Sequence, residues 1–180
     1  MRLAVALLVL SVSVFGLAAK PGLAASEFEK FYGHYVGTST SDPEDETDDR
    51  TSEVTIKPHK GGFNVTWSTT STRANNSLKK STFSINFRAS KQPGVYGSAM
   101  VKDVFGHEKP LDPLNGDPYV WAFIDGDTLT VNSLLVSENG GYEIQTYKRT
   151  LTDDGLSLVF SRVQNGQIKK QFLSDMKKVK

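Results

Sequence analysis

Cysteine is absent from the 180 residues. That rules out disulfide staples, thiolate nucleophiles or metal ligands, and the cysteine a lipoprotein anchor requires. Histidine is nearly as scarce. His34, His59 and His107 lie in separate segments with no pair at i and i+4, so a zinc site would need the fold to gather all three. No Gly-x-Ser-x-Gly elbow supplies a serine nucleophile. The carboxylate pairs Asp125 with Asp127 and Asp153 with Asp154 fall in turn sequences, where aspartate serves backbone geometry rather than proton transfer. Neither a catalytic motif nor a cofactor motif is present, so the sequence points to a non-catalytic protein without a cofactor or bound metal. Charge of one sign is lacking too. With 21 basic and 20 acidic residues and a formal charge of +1, nucleic acid is not an expected partner.

The one long apolar run sits at the start. Arg2 precedes Leu3 to Leu10, and the run continues through Val12, Val14, Phe15 and Leu17 to Ala19, broken by Ser11, Ser13 and Gly16. A membrane-spanning helix needs about 20 predominantly apolar residues, so this shorter run reads as a secretory signal. Small residues at Gly22-Leu23-Ala24-Ala25 place cleavage after Ala24, with Ala25 as the neighbouring choice. The expectation is therefore a signal peptide over 1–24 and one domain over 25–180, periplasmic or secreted and not integral to the membrane once cut. Removal takes Arg2 and Lys20 and no acid, turning the formal charge from +1 to −1. About 156 residues suffice for one well-buried domain and are too few for two.

What the chain has in quantity is alternation. Between Tyr119 and Leu173, five runs (119–124, 129–136, 142–149, 156–163 and 168–173) are separated by turns rich in Gly, Asp and Asn at 125–127, 138–141, 153–155 and 164–166. These residues tolerate the backbone reversal of a hairpin, so the stretch predicts an antiparallel meander. Earlier strands are expected over 33–40, with Tyr35 and Gly37 on one side, and over 51–57, with Ser52, Val54 and Ile56 on one face. Phe63, Val65 and Trp67 then line a return strand, and Phe83, Ile85 and Phe87 another; a further strand runs over 95–101. About ten strands with little helix predict an all-β fold, a single up-and-down barrel of about 8 to 10 strands. Both faces of 119–124 are apolar, so that strand is expected to be buried on both sides.

The connections carry less. Ser26 and Glu29 form a capping box for a short helical turn whose Phe28, Phe31 and Tyr32 should plug one end of the sheet structure. Six carboxylates between Asp42 and Asp49 make a solvated loop, with spacing unlike an EF-hand. Residues 69–80 read as a long, mobile polar connection with room for extended strand ends, and Lys177, Lys178 and Lys180 as a basic tail. The Pro-rich stretch 102–118, bearing Phe105 and His107, is either a lid over one mouth of the barrel or an idle surface loop.

At Phe31-Tyr32-Gly33-His34-Tyr35 an aromatic turn leads into the first strand. Here the sequence resembles the calycin group of lipocalins and fatty-acid-binding proteins, whose opening motif is Gly-x-Trp; Tyr35 stands where Trp would. The resemblance implies barrel closure by Gly33 and Tyr35, with a late-strand arginine, Arg162 or alternatively Arg149, over the aromatic. It also implies an interior that holds a small apolar ligand. Phe63, Trp67, Phe83, Phe87, Phe123 and Phe160, with Phe105 from the loop, are the candidate binding residues, though the same rings could simply fill a core. Two functions stay open: binding a small, lipid-like ligand, and docking or inhibiting an envelope protein with a filled barrel.

Overall fold

The computed structural model describes residues 27–40, 50–72, 77–99 and 101–179. The expected signal peptide, the capping Ser26, the carboxylates at 42–49 and Lys180 lie outside these residues. Ten antiparallel strands close a barrel: β1 (Gly33–Thr40), β2 (Arg50–His59), β3 (Gly62–Thr72), β4 (Leu78–Ala89), β5 (Val95–Ser98), β8 (Tyr119–Asp125), β9 (Thr128–Val136), β10 (Tyr142–Leu151), β11 (Gly155–Gln164) and β12 (Gln167–Val179). Each pairs with its neighbour in sequence, and β12 returns to pair with β1. Two further short strands, β6 (Val101–Lys102) and β7 (Glu108–Lys109), form a separate ribbon inside the connection from β5 to β8.

The alternation read from sequence sets the inner face. Tyr35 opposes Val54, Val54 opposes Trp67 and Trp67 opposes Phe83, and partners across a ladder share a face. Those side chains point inward with Phe63, Phe87, Ala122, Val131 and Phe160, while Thr55, Thr66, Ser84 and Thr146 point out. Tight turns at 60–61, 126–127 and 152–154 gather at one end. Thr40 at the end of β1, Arg50 at the start of β2 and the connection from β5 to β8 lie at the other. Gly155 opens β11 where its backbone runs so close to β12 that a Cβ would strike the Met176 carbonyl oxygen.

A 3₁₀ turn at Glu29–Phe31 plugs the tight-turn end, with Phe28 and Phe31 buried. Lys30 pins it, its Nζ lying 2.8 Å from the Gly126 carbonyl oxygen and 2.9 Å from an Asp127 carboxylate oxygen. The N-cap is Phe28, with no side-chain cap bond, in place of the expected capping box; so short a turn is held by the rings beneath it.

The strand ends expected within 69–80 are present, β3 running to Thr72 and β4 starting at Leu78. Three other expectations are corrected. Lys177 and Lys178 belong to β12, where pairing with β1 closes the barrel. Strand 95–101 ends at Ser98, and Val101 passes to the ribbon. On β8 the inner face is the better covered: Val120 and Ala122 are buried and Ile124 half-buried, whereas Trp121 and Phe123 outside are half-buried because the N-terminal turn sits inside the barrel end instead of against this strand.

Candidate functional site

The barrel interior divides into two halves along its axis. At the plugged end Phe28, Phe63, Phe87 and Tyr96 pack ring to ring, with centroids 5.1 Å apart for Phe63 and Phe87 and 5.2 Å for Phe28 and Phe63. The Tyr35 hydroxyl donates to the Phe31 carbonyl oxygen at 2.9 Å. Burial raises the Tyr35 pKa above its ordinary value, so this phenol stays neutral and donating. Each such ring contributes about 1.5 to 3 kcal/mol of burial, and this half is a dry core.

Toward the mouth a second aromatic chain borders open space. Trp67 stacks on Phe83 at 5.5 Å and leans on Tyr147 at 5.4 Å; Phe160 lies 4.8 Å from Tyr147 and 4.8 Å from Phe172. They face a cavity of about 390 Å³ whose floor includes Val54, Leu158 and Met176. A second cavity of about 270 Å³ shares Trp67, Phe83 and Tyr147 and reaches the barrel wall at Ser84 and Pro118. The wall is thinnest there. β5 has four residues and bridges β4 and β8 only at their plugged ends, so residues 78–85 of β4 pair with β3 alone. A barrel of ten strands leaves this room where one of about eight would be filled by side chains.

Polar groups climb one wall of the cavity from β10. The Tyr147 hydroxyl donates to Gln145 Oε1 at 3.1 Å, and Gln145 Nε2 donates to Glu143 Oε1 at 2.8 Å. Glu143 Oε2 pairs with Arg162 Nε at 3.0 Å near the mouth. Residues at i, i+2 and i+4 of a strand share a face, so the ladder follows from the sequence spacing once the register is set. Arg149 continues it downward. Its guanidinium carbon lies 5.2 Å from the Tyr147 ring centroid and 5.9 Å from that of Trp67, and the side chain is 1% exposed. Burial lowers its pKa to about 10, and burial also raises that of Tyr147, which remains a neutral phenol.

The sequence-derived candidates separate accordingly. Trp67, Phe83 and Phe160 line the mouth-side cavity. Phe63 and Phe87 belong to the packed plug, both 0% exposed. Phe123 lies on the outer face of β8, as alternation with Ala122 requires, and Phe105 is exposed on the 102–118 connection. That connection rests near the 136–140 turn, with Leu114 exposed. Tyr35 closes the plugged end, and a Cβ on Gly33 would meet the Tyr35 ring and the Lys178 side chain. The cation over Tyr35 is Lys178, 5.7 Å from the centroid, whereas Arg162 sits at the mouth with Glu143. His34 bonds Thr55 Oγ1 at 2.9 Å on the outer wall and His107 faces Asp103 in the connection. Tyr147, Gln145, Glu143 and Phe172 were not singled out from sequence, and Arg149 entered only as the alternative arginine over Tyr35, whereas its guanidinium lies against Tyr147 and Trp67. For the β10 residues the signal was a run of alternate positions opposite the apolar faces of β9 and β11.

No known family model matches the chain, and no curated protein matches it.

Proposed function

We propose that this protein is an exported, non-catalytic carrier that binds a small, lipid-like ligand in the mouth half of its barrel. The observation that carries the reading is the division of the interior. The plug already supplies a complete aromatic core, so the rings of Trp67, Phe83, Tyr147, Phe160 and Phe172 bordering cavities of about 390 and 270 Å³ are surplus to filling. Ligand sites are typically about 300 to 1,000 Å³, mostly apolar, with a few placed polar groups. The closed antiparallel meander and the aromatic turn at its end are compatible with the calycin resemblance, which supports the same function by analogy. The gap beside β5, where the inward Phe83 is 55% exposed, gives such a ligand a lateral way in. Outward positions such as Thr55, Asn64, Thr66, Asn86 and Thr146 are polar, the reverse of a barrel that faces lipid. Together with the signal-like residues 1–24, this favours a periplasmic or secreted protein.

A second reading is docking to an envelope protein, favoured by a groove on the outer wall where Tyr119, Trp121, Phe123 and Leu134 form an aromatic stripe. The two are separated by native and denaturing mass spectrometry of residues 25–180 purified from their own compartment. A discrete added mass that is lost on denaturation and extracts as an apolar molecule is the expected result. No added mass, with no saturable uptake of an apolar fluorescent probe, would overturn the carrier reading. Trp67→Ala should weaken probe uptake about tenfold, whereas Lys57→Ala, on the exposed outer face of β2, should leave it near the wild-type value.

A further inference from the structure

β5 bridges β4 and β8 only through Phe87 to Ala89 on one side and Trp121 to Phe123 on the other. Where it does so, β4 and β8 stand two strand spacings apart, about 10 Å. β5 ends at Ser98 and Val101 already belongs to the β6–β7 ribbon, so the line of β5 continues toward the mouth as a slot about one strand wide. The backbone of β4 is aimed into it. Across this edge the Asn86 carbonyl oxygen accepts from the Ala99 N–H at 2.8 Å, and the Ser90 N–H donates to the Val95 carbonyl oxygen at 2.9 Å. The β3–β4 register runs without a bulge from Gly62 with Arg88 to Thr72 with Leu78, and alternate residues of such a strand turn N–H and C=O to the same side. Ser84, Thr82, Lys80 and Leu78 therefore present N–H and C=O groups to the slot, with no backbone partner there among the described residues. Beneath lies the smaller cavity, bordered by Phe83 and Ile85 from β4 and by Pro118 and Val120 from β8. Toward the mouth Lys79 is exposed on the same face as Phe83; its neighbour Lys80 pairs with Glu53 at 3.4 Å, whereas Lys79 has no ion pair among the described residues.

We infer that the slot takes an extended segment of a partner protein, added in the line of β5 and antiparallel to β4. Only extended polypeptide offers N–H and C=O groups at the period of this edge. Register then fixes the pattern of the segment, because partners across a ladder share a face. Positions opposite Phe83 and Ser81 point into the cavity, whose volume of about 270 Å³ suits small apolar side chains. The position opposite Lys79 points the same way and takes an acid. Those opposite Ser84, Thr82 and Lys80 face water and are polar. A second copy of this chain fits poorly: its own β4 carries β3 along the other edge, too wide for the slot, and it would bring Lys79 and Lys80 where an acid is called for. Such docking needs no bound ligand; where a ligand is carried, the added strand closes its lateral way in.

The test titrates residues 25–180 into the fluorescein-labelled peptide Thr-Val-Thr-Val-Thr-Asp-Thr, followed by fluorescence anisotropy, beside a copy N-methylated at its first, third and fifth residues. The parent peptide is expected to bind saturably and the methylated copy about tenfold or more weakly, since its missing donors are those that face β4. Thr82→Pro deletes one N–H from the slot edge and none from the ladder with β3, a place where strands tolerate proline. It should keep the native circular dichroism and weaken the parent peptide about tenfold. Lys79→Glu should weaken the parent and favour the peptide with Lys in place of Asp. Equal binding of parent and methylated peptides would overturn strand addition, and this comparison leaves the protein unaltered. No saturable binding up to about 1 mM protein would overturn it as well. A dimer in sedimentation that Thr82→Pro abolishes would assign the edge to a second copy and refute the partner segment.

Discussion

Replacing Arg149 by methionine should make the ligand-free protein more stable, although it deletes a fully buried side chain with ring contacts. The guanidinium pKa falls well below its ordinary value, to about 10, because burial disfavours the charged form. At about 1.4 kcal/mol per unit, that is a penalty of about 3 kcal/mol for holding the cation at neutral pH. Against it stand the contacts with Trp67 and Tyr147, worth about 0.5 to 1 kcal/mol each. Methionine keeps most of the apolar stem and none of the charge, so the balance favours the variant by about 1 to 2 kcal/mol. For a domain of this size the thermal midpoint should rise by about 2 to 8 °C. The pH dependence has a definite sign. A depressed arginine pKa means the folded state sheds its proton first, so the wild-type deficit is full below about pH 10 and shrinks as the pH rises from there toward the ordinary arginine value. Thermal denaturation followed by circular dichroism at neutral pH measures the difference. A variant that folds natively yet melts several degrees lower without ligand would refute the reasoning, since Arg149 would then be satisfied in the free protein.

The two aromatic clusters should respond oppositely to truncation. Phe63→Ala, in the dry plug, should cost about 3 to 5 kcal/mol in urea denaturation, whereas Phe83→Ala should cost under about 1 kcal/mol and instead weaken uptake of an apolar probe. Gly155→Ala should destabilise by about 2 kcal/mol or more, since its Cβ meets the rigid Met176 carbonyl rather than a side chain that can move; an unchanged midpoint would mean the strands separate there freely. Tyr32, Tyr35, Tyr96 and Tyr147 have pKa values raised by burial above 10.0. The neutral phenols therefore stabilise the fold fully below about pH 10, and that stability is lost as pH climbs through the folded values. Phenolate absorbance should show at least four tyrosines titrating late and together with unfolding.

Local turn chemistry made the meander legible. Gly126, Gly140 and Gly166 all have positive φ, as does Asn165, so residues chosen for reversal stand where the chain reverses. Between such turns, pairing with the sequence neighbour follows with little further information, and the strands from 119 onward begin within one residue of their expected starts. Ends of strands were harder. Lys177 and Lys178 look like a tail because nothing local distinguishes a charged tail from the exposed face of a strand; what makes them strand is pairing with Tyr35 and Val36, more than 140 residues away in the chain. Residues 69–72 and 78–80 were opaque for a related reason. Near the mouth the inward face borders a cavity and the outward face water, so neither side requires an apolar residue and the period-2 signal fades.

The same loss of contrast hid the site. On β10 the alternatives are Ile144, Thr146 and Lys148 on one face against Glu143, Gln145, Tyr147 and Arg149 on the other, and hydrophobicity alone would turn the isoleucine inward. Register decides otherwise. Tyr147 stands between Val131 and Phe160, and Arg149 between Leu129 and Leu158, so the face of β10 that carries the charge is the face its neighbours bury. A one-residue slip would move Arg149 to water, but would also turn the inward apolar side chains of one strand outward. Several apolar pairs therefore outweigh one desolvated cation, and the barrel can hold an arginine in its interior at a cost of a few kcal/mol without losing its register.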